Sequence, residues 1–345
     1  MADITYKAPF TKGVNFTEWL EFKTPEQIDR DWFTRADFEN ARSLGADVVR
    51  LPIHFEKLCP PETGYRVPDP IWSILDDVAR WADELDMCLI FDFHNATDTA
   101  STTTADVEQV LTPVWEQLAA RYKGRFPKLI FEIMNEPHGI DIPVWNGIIE
   151  RVFYRVRAID AERWVIVGGA DWNSLTGMQA LPVFDDKKVI YTFHFYDPHT
   201  FTHQGAPWAD MIKVRDIPFP YDPAKMPSPP ADADERIRNM YARYPQVGTV
   251  EAISKRFKEY AGFSAERKAP VFCGEFGCNN FAVENTQRVG WYRLVADLLD
   301  QYGIPRISWD YFGSFGLFFE EKGKRPRFPE DLNLELLDAL KLKRP

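Results

Sequence analysis

The sequence has no apolar run approaching the roughly 20 residues that a membrane helix needs, so no membrane partner is expected. Its first residues, MADITYKAPF, lack the apolar core of a secretory leader. As written, the chain is expected in the cytoplasm, and it would be secreted only if a leader had been trimmed from it. No basic stripe is present either. With 41 basic residues against 52 acidic ones and a formal net charge of −11, a nucleic-acid partner is not expected and anionic polymers such as pectin are disfavoured. A neutral ligand is indifferent to that field. Cysteine is scarce: Cys59, Cys88, Cys273 and Cys278 lack the paired spacing of a zinc site, and two of them sit inside apolar runs. Reduced, structural thiols are expected, which fits a reducing compartment.

Several chemistries are missing by motif. The first apolar run is followed by Phe16, Thr17, Glu18 and Trp19 rather than by a glycine-rich phosphate turn. There is no Gly-x-Ser-x-Gly elbow, no His-Glu-x-x-His and no His-x-His after the first run. No metal and no cofactor are therefore expected, although His54, His94 and His194 keep a metal-dependent hydrolase as a rival reading.

What the chain does have is material for a large core: 345 residues, 45% of them hydrophobic and 14% aromatic, with 11 tryptophans. Short apolar runs alternate with longer amphipathic stretches. The runs are residues 12–16, 47–53, 87–93, 128–134, 164–169, 188–195, 270–277 and 306–313, eight in all. Between them, Ile71, Ile74, Leu75, Val78, Ala82 and Leu85 form a helix-period stripe, with Asp69 expected as N-cap and Pro70 as the first helical residue. Residues 107–118 and 291–302 show the same stripe. Strands apolar on both faces and separated by helices imply a parallel sheet, and eight such units suggest closure into a (β/α)8 barrel, an α/β fold of the TIM type. The whole chain, 1–345, reads as one catalytic barrel and is expected to be a monomer.

One interval is too long. The segment 197–249 separates the sixth run from the helix that should follow it, and prolines between Pro207 and Pro230 argue against a long regular element there. Because it also holds Phe201, His203, Trp208, Phe219 and Tyr221, an ordered subdomain inserted between strand 6 and helix 6, beside the active face, is expected.

In such barrels the chemistry sits at the C-terminal ends of strands. There the sequence offers Arg50, His94, Asn135 with Glu136, His194 with Tyr196, Glu275 and Trp309. The two glutamates leave the fourth and seventh strands, which face each other across the mouth of a closed ring. A pair of carboxyls flanking one bond is what glycoside hydrolysis uses, provided their pKa values differ. Arg50 and the Tyr196 hydroxyl are placed to stabilise an ionised Glu275, and Glu136 beside that charge would stay protonated. Glu136 is thus expected as general acid/base and Glu275 as nucleophile. Asn135 can donate to a sugar hydroxyl, and Trp309 can floor a pyranose ring. Trp172 and Trp208 read first as packing, Trp208 by the narrower margin.

These segments, VVRLPI, FDFHN, MNEP, FHFY, CGEFG and SWDY, resemble the characteristic set of glycoside hydrolase family five, in order and spacing, from GVNF at residue 13 to the final helix. More narrowly, HFYDPHTFTHQGAPW (194–208) is similar to clostridial-type cellulases with a subdomain after the sixth strand. The resemblance implies a retaining endo-β-1,4-glucanase acting on cellulose-like or mixed-linkage β-glucans, a neutral substrate, by double displacement. It also implies sugar contacts for Arg50, His94, Asn135, His194, Tyr196, Trp208 and Trp309. Three positions depart from the pattern: Asn95 replaces a second histidine, Glu18 stands where glycine is common, and Asp310 stands where asparagine is common. The last two would place acidic groups near outer subsites. A β-mannanase or an exo-acting oligosaccharide hydrolase of the same mechanism is the alternative, and a carbohydrate-binding barrel without turnover is the non-enzyme reading. A retaining pair should stand about 5–5.5 Å apart and an inverting pair near 9 Å.

Overall fold

Strands form where β-branched and aromatic residues cluster and both faces are covered. They are β1 (Lys12–Asn15), β2 (Val48–Ile53), β3 (Cys88–Phe93), β4 (Leu129–Glu132), β5 (Trp164–Gly168), β6 (Val189–Phe195), β7 (Val271–Phe276) and β8 (Arg306–Ser308). The helices are α1 (Arg35–Ser43), α2 (Phe55–Leu58), α3 (Asp69–Glu84), α4 (Glu108–Tyr122), α5 (Ile142–Ile159), α6 (Ala170–Asn173), α7 (Leu175–Ala180), α8 (His199–Thr202), α9 (Glu235–Val247), α10 (Val250–Arg267), α11 (Asn285–Tyr302) and α12 (Leu334–Leu340). The structure, a computed structural model, describes residues 6–21, 23–94, 102–319 and 324–345. Asn95 lies outside the described residues.

The strands close in sequence order into a parallel barrel, with β8 returning to β1 through Lys12↔Arg306 and Gly13↔Ile307. This is the (β/α)8 fold. Strand alternation sorts the side chains into two cores. Val49, Leu51 and Ile53 of β2 point outward with Phe91 and Phe93 of β3, against the helices. Val48, Ile90, Ile130, Ile166, Ile190 and Phe272 pack together in a smaller inner cluster, plugged by Phe10, whose ring meets Phe272 edge-on at 5.3 Å.

Going up the barrel by one more strand period, the interior changes character. After Ile90 and Ile130 the next inward positions are Asp92 and Glu132, paired across β3 and β4. Each is fully buried. The site is therefore built on an apolar plug that holds it rigidly and excludes water from below.

The expected stripe on α3 is real, with Ile71, Ile74, Leu75, Val78 and Ala82 buried; burying its larger side chains stabilises by about 1.5–3 kcal/mol each. Its start is one residue earlier than expected. Pro68 occupies the cap position and Asp69 is already helical, where its charge still complements the helix N-terminus.

Between β6 and α10 the chain forms α8, an irregular stretch and then the 13-residue α9. The absence of a long regular element was thus expected too broadly. The proline cluster ends at Pro230, and α9 opens beyond it at an Asp234 cap whose side chain accepts from Ile237 N.

Candidate active site

Arg50 is the hub. Its guanidinium, fully buried, donates from Nε and Nη2 to the two oxygens of Glu132 at 2.7 and 3.0 Å. Nη2 also donates to Asn135 Oδ1 at 2.7 Å and lies 3.0 Å from Asp92 Oδ2. Nη1 donates to Asn15 Oδ1 at 2.9 Å and to Glu275 Oε1 at 2.8 Å. A bidentate fork of this kind fixes its partners geometrically. It also fixes Asn135, whose oxygen is committed to Arg50 and whose amide nitrogen lies 3.4 Å from His94 Nε2.

Glu275 is held from its other side by the Tyr196 hydroxyl, which donates to Oε2 at 2.8 Å. Both oxygens are thus engaged by donors, which fixes the orientation of the carboxyl group. The side chain reaches this position through a bulge. β6 and β7 pair Phe193 with Cys273 but His194 with Glu275, leaving Gly274 as the extra residue. Phe272 belongs to the inner core, while Cys273 and Phe276 belong to the outer one; the bulge shifts the alternation so that Glu275 points inward. Glycine is needed there, since a Cβ on residue 274 would stand 2.7 Å from Thr192 Oγ1 and 3.2 Å from His194 Nε2.

Glu136 stands opposite, with its side chain 23% exposed to the cleft. Its Oε1 lies 2.5 Å from His194 Nδ1, which is itself 3.5 Å from Glu275 Oε2. Asn173 donates its amide to Asn135 O and faces His194 Nε2 at 3.4 Å. That contact makes Nε2 an acceptor, so Nδ1 carries the proton and donates to Glu136 Oε1. Burial raises the Glu136 pKa above the ordinary carboxylate value, while His94, Arg50 and His138 pull it down. Its main cause is desolvation rather than the charge of Glu275, which the sequence suggested. Burial also lowers His194 to about 4, so the imidazole is neutral near pH 7.

His94 carries its Nδ1 at 2.7 Å from Asp92 Oδ2, and its ring stacks on Trp309 at 5.6 Å between centroids. Trp309 is half-buried and forms one wall. Trp208, 45% exposed, stands apart from the hydrogen-bonded cluster and is linked to it through Phe315, which meets both Trp208 and Tyr196. Trp172 is not core: it is 42% exposed and lies flat on His138 at 3.5 Å between centroids. It sits among three consecutive left-handed residues, Asp171, Trp172 and Asn173.

Of the two departures within the described residues, Glu18 has φ 64°, the left-handed region that a glycine enters without penalty. Its amide donates to Glu21. Asp310 does not present an acid to an outer subsite. It is buried and accepts from Thr17 Oγ1 at 2.9 Å.

Four buried groups of this cluster escape a search beyond the ends of the apolar runs: Asn15, Asp92 and Glu132, which lie inside runs, and Glu21, which lies well past the first. The signal for Asp92 and Glu132 was present, since a carboxylate at an inward position of an apolar run requires a buried partner. Burial pushes Asp92 up to about 7 against the pull of Arg50, and raises Glu21 well above its ordinary value.

One oxygen each of Glu136 and Glu275 and one nitrogen of His194 all lie within 4.8 Å of one another. This is the one group among the described residues with the spacing of a metal site. A cation there would face the Arg50 guanidinium, which already holds Glu275, so the electrostatics suit a proton donor and an anion better than a metal.

The family model described as cellulase (glycosyl hydrolase family 5) matches residues 10–314. Endoglucanase 3 of Fibrobacter succinogenes is 29% identical over 91% of this chain, and the chain spans about half (51%) of that relative. Endoglucanase C of Acetivibrio thermocellus is 27% identical, covering 88% of this chain and 91% of its own length. Among solved structures, the endoglucanase Cel5A of Thermotoga maritima superposes with a TM-score of 0.77 at 24% identity, over 96% of each chain. Another structure of that protein holds mannotriose.

Proposed function

The chain belongs to the cellulase family, glycosyl hydrolase family 5, and from that premise we propose that it is a retaining endo-β-1,4-glucanase acting on cellulose-like or mixed-linkage glucans. It is a glycoside hydrolase by family; the linkage, the endo mode and the residue roles are the proposal. The observation that carries it is the pair Glu136 and Glu275, with carboxylate oxygens within 4.8 Å. One oxygen of each approaches the other that closely, nearer the roughly 5–5.5 Å of a retaining pair than the wider gap of an inverting one, which favours direct attack by one carboxylate.

In this reading Glu275, held in place by Arg50 and Tyr196, attacks the anomeric carbon as a carboxylate. Glu136 gives its proton to the departing glycosidic oxygen as that bond breaks. Arg50 and Tyr196 keep the attacking carboxylate aimed while its charge is consumed. A water then enters where the leaving sugar stood. Glu136, now ionised, takes its proton, the water oxygen displaces Glu275, and the anomeric configuration is retained. Asn135 supplies the donor for the hydroxyl beside the reacting carbon, and Trp309 and His94 offer a flat apolar wall for the ring.

Proton NMR of the first products from cellohexaose tests the mechanism: β-anomers must precede mutarotation, and initial α-anomers would end the double-displacement reading. A fall in viscosity of barley glucan outpacing the release of reducing ends tests the endo mode. β-Mannan is the second reading, prompted by the mannotriose bound to the Thermotoga protein. Glucomannan and barley glucan assayed side by side separate the two.

A further inference from the structure

The turn after β5 takes the left-handed conformation at three successive residues, none of them glycine: Asp171, Trp172 and Asn173, at φ 62°, 60° and 51°. Such backbone persists only where its surroundings hold it, and it gathers where a side chain must be aimed. Here the surroundings are the residues on either side of Glu136. Trp172 N donates to Pro137 O at 3.2 Å, and the Asn173 side-chain amide donates to Asn135 O. The turn thus grips the chain before and after the proposed acid, leaving Trp172 in water and Asn173 fully buried.

Asn173 cannot turn its amide over, because exchanging its nitrogen for Oδ1 would set two carbonyl oxygens against each other at Asn135 O. That nitrogen has a second hydrogen to give, and His194 Nε2 stands 3.4 Å away. Room for the side chain comes from β5: a Cβ on Gly168 would stand 2.3 Å from Asn173 Oδ1 and 3.1 Å from its Nδ2. A left-handed turn, a glycine and full burial therefore combine to set one donor against one ring nitrogen. The other ring nitrogen, Nδ1, lies 2.5 Å from Glu136 Oε1 and 3.5 Å from Glu275 Oε2. The charged and titratable groups acting on this imidazole are those two carboxyls, Arg50, Glu132 and His94. A neutral ring has one proton to place, and a donor at Nε2 places it on Nδ1.

We propose that Asn173 is a positioning residue for the acid/base step: by occupying Nε2 it keeps His194 as the Nδ1–H tautomer in both half-reactions, so that Glu136 Oε1 only accepts and the proton to be transferred is not drawn toward the ring. This rests on the glucanase reading, in which Glu136 is the acid/base, and adds to it the group that keeps its proton available. The same Nδ1–H stabilises the ionised Glu136 that must later activate water. With the tautomer reversed, Nδ1 would offer a lone pair to Oε1, and the Glu136 proton would be held between the two instead of going to the sugar.

The first test needs no activity: in protein labelled with 15N-histidine, the His194 signals, identified by their loss in His194→Gln, should show Nδ1 protonated and Nε2 bare at pH 7. A protonated Nε2 in the wild type overturns the proposal outright. The second compares kcat/KM on barley glucan and on an aryl cellobioside, whose leaving group departs without a proton, in the wild type, Asn173→Gly and Asn173→Asp. Glycine accepts the left-handed backbone while deleting the amide, and aspartate keeps the shape while exchanging the donor for an acceptor. In both variants the glucan value should fall by about 10–10²-fold, a part of what a general acid contributes, with the aryl value nearly unchanged. The alkaline limb on glucan should move to higher pH, because Glu136 loses the bond that favours its ionised form. Equal losses on both substrates with an unmoved limb would make Asn173 a merely structural residue and overturn the proposal. A wild type inert toward both substrates overturns the glucanase reading and, with it, the acid/base role that Asn173 is proposed to serve.

Discussion

At the scale of the residue, the proposed division of labour between two carboxyls depends on one of them keeping its proton. Burial raises the Glu136 pKa above the ordinary carboxylate value of 4.5, so the form that can donate persists to higher pH than an exposed glutamate would allow. Activity on glucan is therefore lost as pH rises through that raised value. Replacing Glu136 by Ala should cost about 10²–10⁴-fold on barley glucan. It should cost far less on an aryl cellobioside, whose leaving group departs without a proton, and the alkaline limb should vanish from that substrate's pH profile. Equal losses on both substrates would remove Glu136 from the acid role. Both glutamates were legible because each stands near the C-terminal end of an apolar run, where a barrel carries its chemistry. Asp92 and Glu132 were not, because they lie one strand period deeper, inside runs whose other members are apolar. Trp172 was misread for a related reason: sequence pattern registers hydrophobicity, but its exposure comes from three successive left-handed residues that no composition signals.

At the scale of the element, β7 does something its sequence shows only faintly. Eight strands could be read from eight apolar runs, yet strict alternation after Phe272 would have turned Glu275 outward, into the helices. The bulge at Gly274 corrects the phase, and a single glycine inside a strand pattern is the one trace of it in the sequence. The Gly274→Ala variant should lose about 1–3 kcal/mol of stability as the new methyl meets Thr192 Oγ1 and His194 Nε2. Its activity should fall further than that loss of folded fraction explains, because a displaced His194 loses its placement against Glu136 and Glu275. Urea unfolding and kcat measured on the same preparation check it. A variant with wild-type kcat would show that β7 tolerates a Cβ at the bulge.

At the scale of the molecule, Arg50 ties together side chains from or directly following β1, β2, β3, β4 and β7, through Asn15, Asp92, Glu132, Asn135 and Glu275. One cation faces three carboxylates, two of them fully buried, so the barrel mouth depends on a charge that cannot be dropped without leaving anions buried and unpaired. Arg50→Met should destabilise by about 3–5 kcal/mol at pH 7.5. The sign of its pH dependence follows from the carboxyls. Asp92 is already raised from 3.8 to about 7 and Glu132 is raised as well, burial being the first cause in both; removing Arg50 raises them further. A group whose folded pKa exceeds its unfolded value contributes stability below the unfolded value and loses it as pH rises through the folded one. The penalty of Arg50→Met should therefore be smallest near pH 4 and grow toward pH 7.5. Those two conditions also straddle the pI of about 5.2, where a chain of low net charge associates. Urea midpoints for both proteins at the two pH values decide the matter, and a penalty that stays constant between them would mean that Arg50 holds the barrel by packing rather than by charge.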